Sequence, residues 1–367
     1  MLNKFYKLRD SVDVYYLNLD NDVCEIEFYK INTRERLKIR IADDARKFIA
    51  KLDGDKSLKT LCKEQNLEPK SLIKLTKFLL KNKIIKEIEI EKEFSKFERQ
   101  INFFDDLILE FDGNKSQEII ENKKVVLFGV GSVGGDIIIL LARMGIKNFV
   151  LIDYKKLKFS DKIRHLYCND ENIGEYKTQA LKNYMIKIDD KLNISCINEK
   201  LLPYSNLDKF IPSDTDIVIN SADEPYIGHT SLKLGRYLWD KNIAMYVAGG
   251  FDAHSMSTGE IIVPKFTSCI DCYQNSFKVA LKDWKPTYPK IENQLQNNKS
   301  MIVAGGAGSL AACSLFSASY AVMCIVYYFL GLKFDMQRRG EYLINQGNMT
   351  WIELGKTNNE KCKICGR

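Results

Sequence analysis

Lys124-Val125-Val126-Leu127-Phe128-Gly129-Val130-Gly131-Ser132-Val133-Gly134-Gly135 decides the fold. The unbroken apolar run from Val125 to Phe128 reads as a strand buried on both faces, because a covered strand needs no polar alternation. Ile137 to Met144 reads as a helix, so the glycines lie between strand and helix, the context their spacing requires. Gly129 permits the tight turn, Gly131 lets backbone amides beside Ser132 approach a phosphate, and Gly134 allows the helix to pack closely on the strand. The helix N-terminus adds partial positive charge. Phe149 to Ile152 forms the next strand and leads to Asp153, 19 residues past Gly134, where a carboxylate accepts hydrogen bonds from ribose hydroxyls. The pattern specifies a nucleotide site and leaves NAD and ATP both open.

Downstream, strand-like segments recur at Asp216 to Asn220, Met245 to Val247 and Ile261 to Val263. Strands alternating with helices predict an α/β fold with a Rossmann-like, doubly wound sheet over residues 123–367. Upstream, the period is different. Cys24, Ile26 and Phe28 alternate with Glu25 and Glu27, and Leu37, Ile39 and Ile41 alternate with Lys38 and Arg40, so residues 12 to 41 read as strands turning at Asn32-Thr33-Arg34. Asp43 or Asp44 is positioned to cap a helix with Ala45, Phe48, Ile49 and Leu52 on one face, ended by Asp53-Gly54. Ser57 caps a second helix, and Pro69 opens a third that buries Leu72, Leu75, Phe78 and Leu79. Another strand starts at Ile84-Ile85. This order predicts a small α+β winged-helix domain over residues 1–88, joined by a charged helical linker over 89–122.

Four of the ten cysteines form two Cys-x-x-Cys pairs, Cys269/Cys272 and Cys362/Cys365. Two such turns make a closed tetrahedral thiolate site for zinc, with a structural role because no coordination position stays open. That site would staple the C-terminal tail to the domain. The remaining cysteines are scattered, which speaks against a disulfide framework. Ser309 to Leu332 runs 24 residues without a charge. Its four serines and several small residues favour a buried helix, in the core or at a dimer interface, over a membrane span. The first ten residues mix charges with aromatics and lack an apolar core, so the expected location is cytoplasmic. Hydrophobic residues at 45% and charged residues at 28% of 367 exclude a wholly disordered chain. A net charge of +7 suits an anionic partner. The third N-terminal helix offers Lys70, Lys74, Lys77 and Lys81 but no arginine for bidentate guanine contacts, so nucleic acid is not the expected partner.

The glycine loop, Asp153, Arg164, Lys177, Ser221-Ala222-Asp223 and the two cysteine pairs, in this order, resemble the ThiF/MoeB-type, E1-like adenylating enzymes. The resemblance spans roughly residues 97 to 367. Within that family the layout is similar to the enzymes that mature microcin C7-type peptides, which carry a winged-helix peptide clamp similar to residues 1 to about 88. The resemblance implies ATP as co-substrate, Arg164 and Lys177 on its phosphates, and Asp223 as the magnesium ligand. It further implies that Arg99, in Phe97-Glu98-Arg99-Gln100, reaches into the site of a second protomer in a homodimer. The partner it implies is a short ribosomally made precursor peptide, bound through its leader as an added strand. A peptide carboxylate or carboxamide would be adenylated, ending in nucleotide attachment or, as in pantocin-type relatives, in dehydrative ring closure.

At one place the chain departs from the family. An Asn-Leu-x-Arg-Gln run is replaced by Asp161-Lys162-Ile163-Arg164-His165. The new carboxylate would repel ATP unless Lys162 or magnesium compensates it, and His165 becomes a candidate proton acceptor. His229 and His254 carry no supporting pattern, and Cys168, Cys313 and Cys324 lack a nearby base that would make them carriers. Gly305-Gly306-Ala307-Gly308 is a flexible stretch ahead of the apolar helix. Two other readings compete: a leader-binding partner that delivers the peptide to a separate cyclising enzyme, and an NAD oxidoreductase. The intact glycine loop with Asp153, Lys177 and Asp223 argues against the first, which ATP turnover by the isolated protein would test, and the second is disfavoured by the four-cysteine site and the winged-helix module.

Overall fold

A computed structural model describes residues 1–19, 22–65, 68–88, 95–107, 113–224, 226–250, 255–280, 310–355 and 362–366. The chain divides into two compact units, Met1–Gln117 and Glu118–Arg367.

The first unit contains β1 (Phe5–Leu8), β2 (Val12–Asn18), β3 (Val23–Lys30), β4 (Arg36–Ala42), α1 (Asp43–Ile49), β5 (Asp53–Ser57), α2 (Leu58–Glu64), α3 (Pro69–Lys81), β6 (Ile85–Ile88) and α4 (Glu98–Leu107), and α5 (Gly113–Glu121) carries the boundary. Its strands form two antiparallel sheets, β2-β3-β4 and β5-β1-β6. The alternation read at residues 24–41 places Cys24, Ile26 and Phe28 in the core, where they meet Phe48, Leu58, Leu72 and Leu79. Across that sheet Glu25 and Glu27 pair with Lys38 and Arg40 on the wet face. Ser57 caps α2 as expected, its side chain accepting from the Thr60 amide at 3.2 Å. Three local expectations need correction. Ala42, not an aspartate, caps α1. Asp53-Gly54 does not end a helix but opens β5. Phe78 is exposed rather than buried, because Thr76 takes the inward position and satisfies its hydroxyl on the Leu72 carbonyl at 2.7 Å.

The second unit contains β7 (Lys124–Phe128), α6 (Ser132–Arg143), β8 (Asn148–Ile152), α7 (Lys177–Ile186), β9 (Asn193–Ile197), β10 (Ile217–Asn220), α8 (Ile227–Lys241), β11 (Ala244–Ala248), β12 (Ser255–Ser257), β13 (Gly259–Ile262), α9 (Ile270–Ala280), α10 (Ala311–Phe329), β14 (Arg338–Leu343) and β15 (Asn348–Glu353). Its main sheet runs β13-β11-β10-β7-β8-β9, parallel except for β13. Counted within the sheet this is the order 3-2-1-4-5-6 of a doubly wound nucleotide-binding fold, with its switch point between β7 and β10. A smaller antiparallel sheet, β12-β14-β15, completes the unit. Among the described residues, α10 is the one helix long and apolar enough to cross a membrane. It is a core helix: Cys313, Ala318, Ala321 and Ile325 are buried, and Ser317 donates to the Ser257 carbonyl at 2.7 Å. The residues 305–308 and His254 lie outside the described residues.

Candidate nucleotide and metal sites

Five parallel strands deliver their carboxyl ends to one edge of the sheet, and a cleft of about 330 Å³ opens there, within the usual size of a small-molecule site. After β7, Gly129 turns the chain with φ of +86°, and a Cβ on it would lie 2.6 Å from the Ser221 and Ala222 backbone of the neighbouring strand. Gly134 meets the same constraint, since a Cβ there would lie 2.4 Å from the Gly129 carbonyl. At Gly131 an added Cβ would meet nothing within 4 Å, so the backbone at the start of α6 faces open space. After β8, Asp153 braces the loop. One of its oxygens accepts from the Val130 amide and the other from the Lys155 amide, each at 2.8 Å. Each oxygen keeps a lone pair for a further donor.

Four cations converge on the cleft, namely Lys155, Arg164, Lys177 and Lys200. Lys155 and Lys200 reach it from the ends of β8 and β9, which the sequence reading missed. Both hold Glu224, Lys155 at 2.6 Å and Lys200 at 3.2 Å, and the Tyr154 hydroxyl donates to the same carboxylate. These contacts, led by Lys155, pull Glu224 down to about 2 despite partial burial. Their sequence signal was positional, since each lies just past the carboxyl end of a parallel strand. Asp223 follows β10, with its side chain 79% exposed and 3.9 Å from Lys155 Nζ. Thus Gly129, Gly131, Ser132, Asp153, Arg164, Lys177 and Asp223 line one cleft, and Gly134 lies beneath the loop. Arg99 lies exposed on α4 of the first unit.

The Asp161-to-His165 departure is resolved in detail. Asp161 is buried and accepts from the Lys158 amide at 3.0 Å. Its compensating charges are Lys177 and Arg164, each 3.5 Å away. Lys162, proposed above for that role, instead binds Asp170 at 2.6 Å. Burial raises the Asp161 carboxyl, but the Lys158 amide and Lys177 outweigh it and leave it below the ordinary value. Burial and then Lys177 push His165 down to about 4. Its Nε2 faces Lys177 Nζ at 3.3 Å, so the lone pair that would take a proton from incoming substrate is already engaged, and the proton-acceptor expectation does not fit.

In the same unit, the four cysteines expected to bind metal come together. Their sulfurs lie within 4.8 Å of one another. Closest approaches are 3.6 Å between Cys269 and Cys362, 3.7 Å between Cys272 and Cys365, and 3.9 Å between Cys269 and Cys272. A tetrahedral zinc with Zn–S bonds of about 2.3 Å separates its sulfurs by roughly 3.8 Å, so the cluster fits the ion. Cys168, Cys313 and Cys324 are buried. His229 lies at the α8 N-terminus against the Tyr226 ring.

The fold has counterparts among known proteins. Protein HesA, vegetative, of Trichormus variabilis is 24% identical over 180 residues, covering 49% of this chain and 63% of that protein. The chain therefore spans less than two thirds of the length of this curated relative. Among solved structures, E. coli MccB superposes with a TM-score of 0.71 at 18% identity, covering 98% of this chain and 97% of that one. MccB has also been solved with ATP and with N-formylated MccA. PaaA superposes with a TM-score of 0.60 at 19% identity, over 77% of this chain and 92% of its own. The ThiF family profile matches residues 98–363, well over half of the chain. The protein belongs to the ThiF family, the family that its motifs resemble.

Proposed function

We propose that this protein adenylates a short ribosomal precursor peptide with ATP, as one step in making a peptide antibiotic. The observation that carries the reading is the cleft at the sheet's switch point. A glycine loop with open backbone, the Asp153 carboxylate at the end of β8, four cations and an exposed aspartate meet there. Polyphosphate is the ligand class that uses such a set. A peptide carboxylate or carboxamide oxygen attacks the α-phosphorus, the bond to pyrophosphate breaks, and an acyl-adenylate forms from the carboxylate or an O-adenylated imidate from the carboxamide. Arg164 and Lys177 neutralise the phosphates, Asp153 takes the ribose hydroxyls, and Asp223 is the residue that would hold magnesium. Magnesium would supply charge neutralisation as pyrophosphate departs. Arg99 is assigned to the neighbouring site of a homodimer, and the four cysteines to a structural zinc.

The first unit supplies the peptide clamp. Among the described residues β2 pairs only with β3 and so offers a free edge. Tyr15, Tyr16 and Leu17 are each more than half exposed on it. A leader peptide added as a strand would satisfy that edge and cover those side chains. MccB, with the same fold, has been solved with both ATP and its MccA peptide. Two endings follow the adenylate: the peptide keeps the nucleotide, or an internal nitrogen displaces AMP and closes a ring. The test is ATP–pyrophosphate exchange dependent on the precursor encoded beside this gene. Exchange without peptide dependence would refute the reading.

A further inference from the structure

Asp161, His165 and Lys177 form a closed set on the floor of the cleft, with side-chain exposures of 7%, 2% and 10%. His165 Nδ1 lies 3.1 Å from the Asp161 carbonyl oxygen. A carbonyl only accepts, so the hydrogen sits on Nδ1 and Nε2 keeps its lone pair. That lone pair faces Lys177 Nζ at 3.3 Å. On its other side the ammonium meets the Asp161 carboxylate at 3.5 Å. An ammonium has three N–H groups. One faces His165 and one Asp161, and the third is left for whatever enters the cleft that Lys177 lines. The imidazole is held in turn, edge-on to Tyr167 at 5.4 Å between centroids, and the Tyr167 hydroxyl donates to the Val130 carbonyl of the glycine loop at 2.7 Å.

We propose that Asp161 and His165 are positioning residues, an anion and a neutral acceptor that together aim the Lys177 ammonium at the anion bound in the cleft. The proposal rests on the reading of this cleft as the ATP site. It accounts for the changes at positions 161 and 165 at once, because the carboxylate and the imidazole act on the same ammonium. It also has a cost that can be measured. Asp161 and Arg164 lie 3.5 Å apart, so the carboxylate lowers the net charge of Asp161, Arg164 and Lys177 from +2 to +1. Asp161→Asn is therefore expected to lower the KM for ATP while reducing kcat by roughly tenfold, as the ammonium loses its aim. A merely structural carboxylate would not produce that opposed pair of changes.

Two measurements test the proposal. With 15N-histidine labelling, the His165 resonances, identified by their loss in His165→Gln, should show the proton on Nδ1 and a bare Nε2 at pH 7. A proton on Nε2, or on both nitrogens, overturns the proposal, and this experiment needs no activity. The second is a double-mutant cycle on peptide-dependent ATP–pyrophosphate exchange. His165→Phe should reduce exchange about tenfold in the wild-type background and scarcely at all in Lys177→Met. Equal losses in both backgrounds overturn the positioning role. If Lys177→Met leaves exchange intact, the ATP reading of the cleft fails, while the tautomer still decides whether His165 accepts from Lys177.

Discussion

Asp136 offers a measurable consequence of how the glycine-loop helix is packed. It lies in the second turn of α6 and is 1% exposed. Ser314 of α10 donates to its Oδ2 at 3.1 Å, and its Oδ1 has no partner among the described residues. Burial, only partly offset by Ser314, raises this carboxyl from 3.8 to about 7. A raised folded pKa means that the neutral acid is the form the fold prefers. Stability is then full below about pH 4 and falls as pH rises, because the unfolded chain releases a proton that the folded chain retains. Above about pH 7 both states are ionised and the loss levels off at roughly 4 kcal/mol, from about 3 units at 1.36 kcal/mol each. Asp136→Asn keeps the shape and removes the titration. Between pH 5.5 and 8.5 its stability relative to the parent should rise by about 2 kcal/mol. Urea unfolding followed by tryptophan fluorescence is the assay, since Trp239 and Trp351, the tryptophans among the described residues, lie in the second unit. A pH-independent difference between the two proteins would refute the account of a buried neutral acid.

Further outcomes are expected. Asp223→Ala should abolish ATP turnover while leaving leader affinity unchanged, measured by exchange and by fluorescence anisotropy of a labelled leader; a parallel loss of both would break the two-module picture. Gly134→Ala places a methyl group 2.4 Å from the Gly129 carbonyl, so calorimetry should detect no ATP binding by an otherwise folded protein. Replacing Tyr15 and Leu17 with alanine should weaken leader binding by about tenfold, as expected for lost apolar contact at a strand-addition site. Atomic absorption should find one zinc per chain, and Cys362→Ser should lower Tm by roughly 5–10 °C, equivalent to about 3 kcal/mol.

Much of this architecture is legible in the residues because a single physical requirement stands behind each feature. Gly129 and Gly134 have no room for a side chain, and the four cysteines need one another, so both patterns survive at the sequence level. Strands β3 and β4 are legible for the same reason, one wet face and one dry. By contrast, β1 and β5 carry no such period. Asp53-Gly54-Asp55-Lys56-Ser57 becomes a strand through pairing with β1, a tertiary cause that local pattern does not record. Lys155, Lys200 and Glu224 are ordinary surface charges until the topology brings the ends of β8, β9 and β10 together. His165 was legible as an unusual residue but not in its role. Its tautomer is set by a carbonyl four residues back and its partner by a lysine twelve residues on.

The central claim is peptide adenylation, and mass measurement tests it most directly. The short peptide encoded nearest this gene would be incubated with the protein, ATP and magnesium, then weighed, and the nucleotide product identified. The account predicts pyrophosphate release together with a peptide that has either gained a nucleotide or, with AMP released, lost water. A peptide of unchanged mass beside untouched ATP, despite leader binding, would contradict it and point to a partner that only delivers the peptide.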